Sequence, residues 1–229
     1  KQYGILTVVD AVSSMFGVEI DVDACRVDIL CGGSQKALSA PPGLTLLTVS
    51  SDAIRAMEQR TSPIASFYAN ILTFKNYYED KWFPYTMPIS DIYGLGAALD
   101  NVIADKDIYN RHAQIAQAVR TAVTKAGLKL YLDCDYCSTV TVIEVPEGIE
   151  SAQFLQHMTN RYGIMIAGCF DYLAGKVFRL GHMGEGASIA DVTAMLDAMD
   201  KTFADLGYPL KCSMKEVFVK LIDTEEVSL

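Results

Sequence analysis

The chain has 229 residues, a hydrophobic content of 51% and a formal net charge of −9. That balance supplies a sizeable core and excludes a phosphate-backbone binder, which needs a basic face. No apolar run approaches the ~20 residues that span a bilayer, and no block of like charge forms an interaction tail. Cys25, Cys31, Cys134, Cys137, Cys169 and Cys212 follow no disulfide-framework spacing and read as reduced thiols. With no signal-peptide pattern at the first residues, the expectation is a soluble cytoplasmic protein.

In chain order, residues 5–9, 27–31 and 44–49 are short apolar runs that read as strands. Asp10 follows the first run. The turn Gly32-Gly33-Ser34-Gln35-Lys36 follows the second, and Pro41-Pro42-Gly43 leads into the third. If the first two runs are neighbours in a parallel sheet, Asp10 and Lys36 share its carboxyl edge, where open α/β sheets bind ligands. Ser51 is placed to cap a short helix over 52–60. Residues 61–91 are aromatic and irregular, carrying Tyr68, Phe74, Tyr77, Tyr78, Trp82, Phe83 and Tyr85. Pro84 and Pro88 keep the end of that stretch out of helix, and it suits an interface or active-site loop.

From Ser90 apolar residues recur at helical spacing: Ile92, Leu95, Leu99, Val102 and Ile103. After a break at 105–107 the pattern resumes with Ile108, Ile115, Val119 and Val123, and Gly127 ends it as a C-terminal cap. A long helix leading into new strands marks a domain boundary, giving residues 1–126 and 127–229. Past Gly127, residues 128–132 and 139–145 alternate as half-buried strands. Residues 151–162 form an amphipathic helix with Phe154, Leu155, Met158 and Tyr162 on one face, closed by Gly163. Residues 164–167 and 176–180 are further short strands. Ser188 and Asp191 resemble a capping box. They open a helix bearing Ile189, Val192, Leu196, Met199 and Phe203, ended by Gly207 and Pro209. This half reads as a small α+β domain.

Taken alone, Asp10 is an ordinary turn residue and Lys36 an ordinary solvated one. Together, at the ends of successive strands, they put an amine and a carboxylate on one edge. Arg179 offers a planar guanidinium able to grip a carboxylate through two parallel hydrogen bonds; by itself it also reads as a surface arginine. The single Cys134-x-x-Cys137 lacks the second ligand pair of a structural zinc site. It precedes a strand rather than the helix of a redox motif, so two ordinary loop cysteines are the preferred reading. The histidines are too scattered for a metal site. His112 and His157 read as helix-surface residues, and His182, after the Arg179 run, could border a site. Gly181, Gly184 and Gly186 lack the strand–turn–helix context of a dinucleotide fingerprint.

Three motifs carry a resemblance: Val9-Asp10-Ala11-Val12-Ser13-Ser14, then Asp28-Ile29-Leu30-Cys31-Gly32-Gly33-Ser34-Gln35-Lys36-Ala37-Leu38, then Ala40-Pro41-Pro42-Gly43. In residues and spacing the chain resembles the class V aminotransferases of fold type I, and most closely their alanine–glyoxylate and serine–pyruvate group. The likeness continues through Tyr85-Thr86-Met87-Pro88 and Gly175-Lys176-Val177-Phe178-Arg179-Leu180-Gly181, nearly the whole chain. It implies an α/β fold: the C-terminal part of a mainly parallel large-domain sheet, joined to a small α+β domain. It implies pyridoxal 5'-phosphate as cofactor; the charge, hydropathy and ligand spacing already noted lead to the expectation of no nucleic acid, membrane or metal. By resemblance Lys36 is the Schiff-base lysine and proton carrier, Asp10 pairs with the pyridine nitrogen, and Gln35 bonds the cofactor phosphate. Thr86 reaches the phosphate of the neighbouring subunit's cofactor, which implies a homodimer with shared sites. Arg179 holds the substrate carboxylate. The implied reaction moves an amino group from a small amino acid, alanine or serine, to a small 2-oxo acid, glyoxylate or pyruvate.

The sequence departs from that pattern at specific places. Phe83 stands where the alanine–glyoxylate group has a tyrosine whose hydroxyl touches the phosphate. Pro42-Gly43-Leu44-Thr45, Phe83-Pro84-Tyr85-Thr86 and Gly181-His182-Met183-Gly184 also resemble the pyridoxamine–pyruvate aminotransferases, but those carry asparagine where this chain has Gln35. A cysteine desulfurase-like lyase is a further alternative, for which Cys169 is a poor candidate nucleophile. The family's chains begin far upstream of Lys1, so the expectation is a C-terminal portion of a longer enzyme. An inactive fragment is then the non-enzymatic alternative.

Overall fold

The computed structural model describes residues 3–225, and its backbone packs as two units. The first takes the chain up to Met15 together with Glu19–Ala104. The second takes Phe16–Val18 and the chain from Asp105 on.

In the first unit the three apolar runs become β1 (Val8–Asp10), β2 (Ile29–Gly33) and β3 (Thr45–Val49). β1 and β2 are parallel, with Asp10 beside Cys31. β3 returns antiparallel to β2, pairing Thr45 with Gly33, so this part of the sheet is mixed. The buried carboxylate of Asp28 fixes the other edge. It accepts from the Thr7 backbone N–H at 3.1 Å and from the Ser50 hydroxyl at 2.6 Å. Ser50 also caps α1 (Ser51–Glu58) by accepting from Ala53 N–H at 3.1 Å, so the cap lies one residue before the expected Ser51. Residues 61–88 are irregular apart from one tight turn at Ile71–Phe74. Tyr85 packs there against Tyr68, Phe74 and Phe67 at 5.2, 5.7 and 6.5 Å between ring centres. α2 (Ile89–Ala104) carries the expected apolar spacing, yet only Ala98 is fully buried, and Ile92 and Ile103 are exposed.

The second unit is built from α3 (Ile108–Lys125), β4 (Val140–Glu144), α4 (Ser151–His157), β5 (Val177–Gly181), α5 (Ile189–Asp205) and α6 (Met214–Glu225). β4 and β5 are antiparallel, with Val142 opposite Arg179. The strands expected at 128–132 and 164–167 shrink to single bridges, Leu130 with Ile143 and Ala167 with Arg179. The helix expected over 151–162 is α4 followed by a wide turn, Met158–Tyr162, which Gly163 ends in the left-handed region at φ 68°. Phe154 stacks on Phe178 at 4.6 Å and lies 4.6 Å from Phe203, at the centre of a core shared by all four helices and both strands. Each such ring stabilises the fold by about 1.5–3 kcal/mol through lost water contact.

Two elements differ from the sequence reading. α3 buries Ile115, Val119 and Val123 in this core and packs on α6 and β4, whereas the boundary at 126/127 had put it in the first domain. α6 was not anticipated past Pro209, although Met214, Phe218 and Ile222 recur every fourth residue and are buried. Its first turn is capped locally by Ser213, whose hydroxyl accepts from Glu216 N–H at 3.1 Å, and again from α5. The Asp200 carboxylate accepts from Ser213 Oγ at 2.7 Å, Met214 N–H at 3.0 Å and Lys215 N–H at 3.1 Å.

His112 is a core residue, not a surface one, and His182 is equally buried. His112 Nδ1 donates to the Ile108 carbonyl at 2.6 Å while its Nε2 accepts from Gly184 N–H at 2.9 Å. His182 Nδ1 donates to the Ser138 carbonyl at 3.1 Å and its Nε2 accepts from the Thr141 hydroxyl at 2.8 Å. In this arrangement a second proton on His112 would break its Nε2 bond to the Gly184 N–H, and one on His182 would place a charge in the core. Burial lowers both pKa values, that of His182 from 6.5 to about 4. The unfolded chain therefore binds protons first. Stability is complete above the unfolded value of 6.5 and falls with pH towards 4, by about 3 kcal/mol for His182. Urea unfolding at pH 7, 5.5 and 4.5 should show this loss, and His182→Asn, although less stable at pH 7, should show a flatter slope.

Candidate active site

Parallel pairing of β1 with β2 sends two loops from one sheet edge: residues 11–15 after Asp10, and 34–44 around Lys36. Gly32 and Gly33 let the loops lie against each other. A Cβ on Gly33 would stand 3.1 Å from Gln35 Oε1 and 3.3 Å from Val12 Cγ1, and one on Gly32 would stand 2.3 Å from Met15 Sδ. The residues just after Asp10 and just before Lys36 thus flank the same two glycines.

Ser34 closes the Lys36 loop. Its side chain is buried, and its hydroxyl donates to the Pro41 carbonyl at 2.6 Å while accepting from Leu44 N–H at 3.3 Å. Its backbone donates to the Leu44 carbonyl at 3.1 Å and accepts from Ala40 N–H at 2.9 Å. Ala37, Leu38 and Ala40 point inward as apolar anchors. Lys36 is half-buried and Gln35 exposed. From the far side α2 comes close because Gly94 has no side chain: a Cβ there would meet the Pro41 ring at 2.8 Å.

Asp10 is exposed, and its Oδ1 accepts from Val12 N–H at 2.9 Å, which orients the carboxylate. Among the described residues neither its second oxygen nor the Lys36 amine has a hydrogen-bond or ion-pair partner. Thr86 is exposed on a separate segment of the same unit, directly after the ring-packed Tyr85. Arg179 belongs to the second unit. Its Nε donates to the Gly168 carbonyl at 2.6 Å. His182 serves the core described above rather than a site. Cys134 Sγ is bonded to Asp135 at 3.2 Å and Cys137 Sγ to the Thr139 hydroxyl at 3.1 Å. Among the described residues no three His, Cys, Asp or Glu side chains are grouped to hold a metal. None of their helices is long and apolar enough to cross a membrane. The sequence reading singled out Lys36 but not the buried Ser34 that shapes its loop; a serine in a polar turn gives no sign of burial.

An amine, an oriented carboxylate with one oxygen open and an exposed amide therefore leave one sheet edge together. Residues 1–169 match the family model described as aminotransferase class V. The chain belongs to the class V aminotransferases. An uncharacterized aminotransferase of Methanocaldococcus jannaschii is 38% identical over 221 residues, covering 95% of this chain and 57% of that protein. A serine–glyoxylate aminotransferase of Methylorubrum extorquens is 36% identical over 187 residues, covering 79% and 46%. The crystal structure of a pyridoxamine–pyruvate aminotransferase from Mesorhizobium loti superposes with a TM-score of 0.91 at 33% identity, over 98% of this chain and 59% of that one. The chain spans about half the length of the relatives it matches. Its fold is that of the fold type I aminotransferases, in their C-terminal part. The family implies pyridoxal phosphate, and the donor set at this edge fits a phosphorylated pyridine aldehyde.

Ser34→Ala leaves the Pro41 carbonyl and the Leu44 N–H without their buried partner. The expected cost is about 2 kcal/mol, read in urea unfolding, together with a weaker cofactor affinity, read by absorbance titration with pyridoxal phosphate.

Proposed function

We propose that the protein carrying this chain is a pyridoxal-phosphate-dependent aminotransferase, acting between a small amino acid (alanine or serine) and a small 2-oxo acid (glyoxylate or pyruvate). The observation that supports this reading most is the pair Asp10 and Lys36, set on adjoining loops of one sheet edge and, among the described residues, with the amine and one carboxylate oxygen unengaged.

In this reading the Asp10 carboxylate holds a proton on the pyridine nitrogen. Gln35 donates its amide N–H to the phosphate, and Thr86 adds a hydroxyl to the phosphate in the neighbouring subunit. Pyridoxal phosphate, when bound, supplies a sink for the electron pair left when the substrate α-proton departs. Lys36 Nζ takes that proton from the α-carbon and returns it on the far side of the transfer, which asks for a half-buried amine on a stiff loop. Arg179 fixes the carboxylate of both substrates, so donor and acceptor use one clamp. The homodimer with shared sites is part of the same reading. Exposed Tyr68, Tyr78 and Trp82, on the segment that ends in Thr86, support it. We also assign a cytoplasmic location, for which the six free cysteines speak.

A second reading, use of free pyridoxamine with pyruvate, is favoured by the TM-score of 0.91 to an enzyme of that description. Turnover of alanine with glyoxylate in the presence of pyridoxal phosphate supports the first reading. Turnover of pyridoxamine with pyruvate in its absence supports the second. Under the first, Lys36→Ala should lower kcat by at least ~10³-fold. Arg179→Lys should raise KM for both substrates by about 10- to 100-fold with a smaller change in kcat.

A further inference from the structure

Arg179 is held from behind in an unusually complete way for a half-buried arginine. Its backbone pairs with Val142 on one side, and on the other exchanges two hydrogen bonds with Ala167, at 2.7 and 3.3 Å. Its Nε–H is committed to the Gly168 carbonyl at 2.6 Å. That single bond fixes the direction of the guanidinium but leaves its plane free to rotate. A second contact restricts the rotation: the Phe170 ring centre lies 5.1 Å from Cζ, within the range of a cation–π contact. Among the described residues the two terminal nitrogens have no hydrogen-bond partner.

Phe170 is not there for the core. It is 71% exposed, while Phe154, Phe178, Phe203 and Phe218 are all 0% exposed. Its backbone is nonetheless fixed. Its carbonyl accepts from Leu173 N–H at 3.1 Å and starts the short turn Asp171–Leu173, and Asp171 takes a left-handed φ of 49° to make that turn. A large apolar ring is thus set in water on a pinned stretch of chain, with the Arg179 cation over its face.

We propose that Phe170 is a positioning residue for the Arg179 guanidinium, covering one face of it and presenting its two terminal N–H groups edge-on to the carboxylate of the amino acid or 2-oxo acid. The inference rests on the reading of Arg179 as the carboxylate clamp. Its physical basis is twofold. A carboxylate binds a guanidinium best in its plane, through two parallel bonds, and a ring on one face closes the competing out-of-plane approach. The ring also displaces water from that face, so the remaining N–H groups act on the substrate in a less screened setting.

Phenylglyoxal modification of Arg179, followed by peptide mass mapping, reads this without turnover. Pyruvate should protect Arg179 in the enzyme. In Phe170→Ala the half-protecting pyruvate concentration should rise about fivefold. Phe170→Trp should restore it, and Phe170→Leu, which keeps apolar bulk but no π face, should behave like alanine. In steady state Phe170→Ala should raise KM for amino and oxo substrates by the same factor, with kcat within about twofold. Protection in Phe170→Ala equal to the parent, with Arg179 still protected, overturns the inference and leaves the clamp intact. A parent-like Phe170→Leu overturns it too, by reducing the ring to packing. Failure of pyruvate to protect Arg179 in the parent overturns the clamp itself, and the inference with it.

Discussion

The parallel pairing of β1 with β2 is the constraint on which the candidate site depends. It sets the ends of both strands at one edge, so Asp10 and the Lys36 loop emerge side by side although Asp10 and Lys36 stand 26 positions apart in the sequence. An antiparallel pair would have sent them to opposite edges. Two glycines then let the emerging loops touch, and one buried hydroxyl, on Ser34, closes the loop that carries the lysine. The amine owes its position to groups that have no part in chemistry.

The second unit solves a different problem. It buries one face of β4 and β5 in a core shared with four helices and puts its aromatic weight at the centre, so that β5 is a firm mount. Arg179 is the polar residue on that mount, flanked in sequence by the buried Phe178 and Leu180. The buried neutral histidines belong to the same rigidity: each bonds through both ring nitrogens, which ties α3 to the Gly184 turn and β4 to the residues after β5. The division of labour in the proposed function follows these units, cofactor chemistry on the first and substrate grip on the second.

Much of this was legible in the chain. The apolar runs that end in Asp10 and before Gly32, the break at 105–107 between α2 and α3, and Gly127, left-handed at φ 90° after α3, all carry local signals that survive folding. The misses have physical reasons. Strand direction leaves no mark in apolar periodicity, so the antiparallel return of β3 could not be read. His112 looks like any polar residue on a helix until the Ile108 carbonyl and the Gly184 amide are seen to satisfy it. α6 does carry a local signal, Ser213 three residues before Glu216, whose N–H bonds the Ser213 hydroxyl at 3.1 Å, but Gly207 and Pro209 drew the sequence reading to a stop before it. α2 shows the converse, with a clear apolar face that stays largely exposed. The roles given to Lys36, Asp10, Gln35, Thr86 and Arg179 came from the motif likeness, since none of them differs in type from ordinary surface residues.

The most direct test of the account is borohydride reduction of the protein with pyridoxal phosphate, followed by peptide mass mapping. The account predicts a pyridoxyl adduct on Lys36, absent in Lys36→Ala and diminished in Asp10→Ala. An adduct confined to other lysines, with Lys36 unmodified, would contradict it.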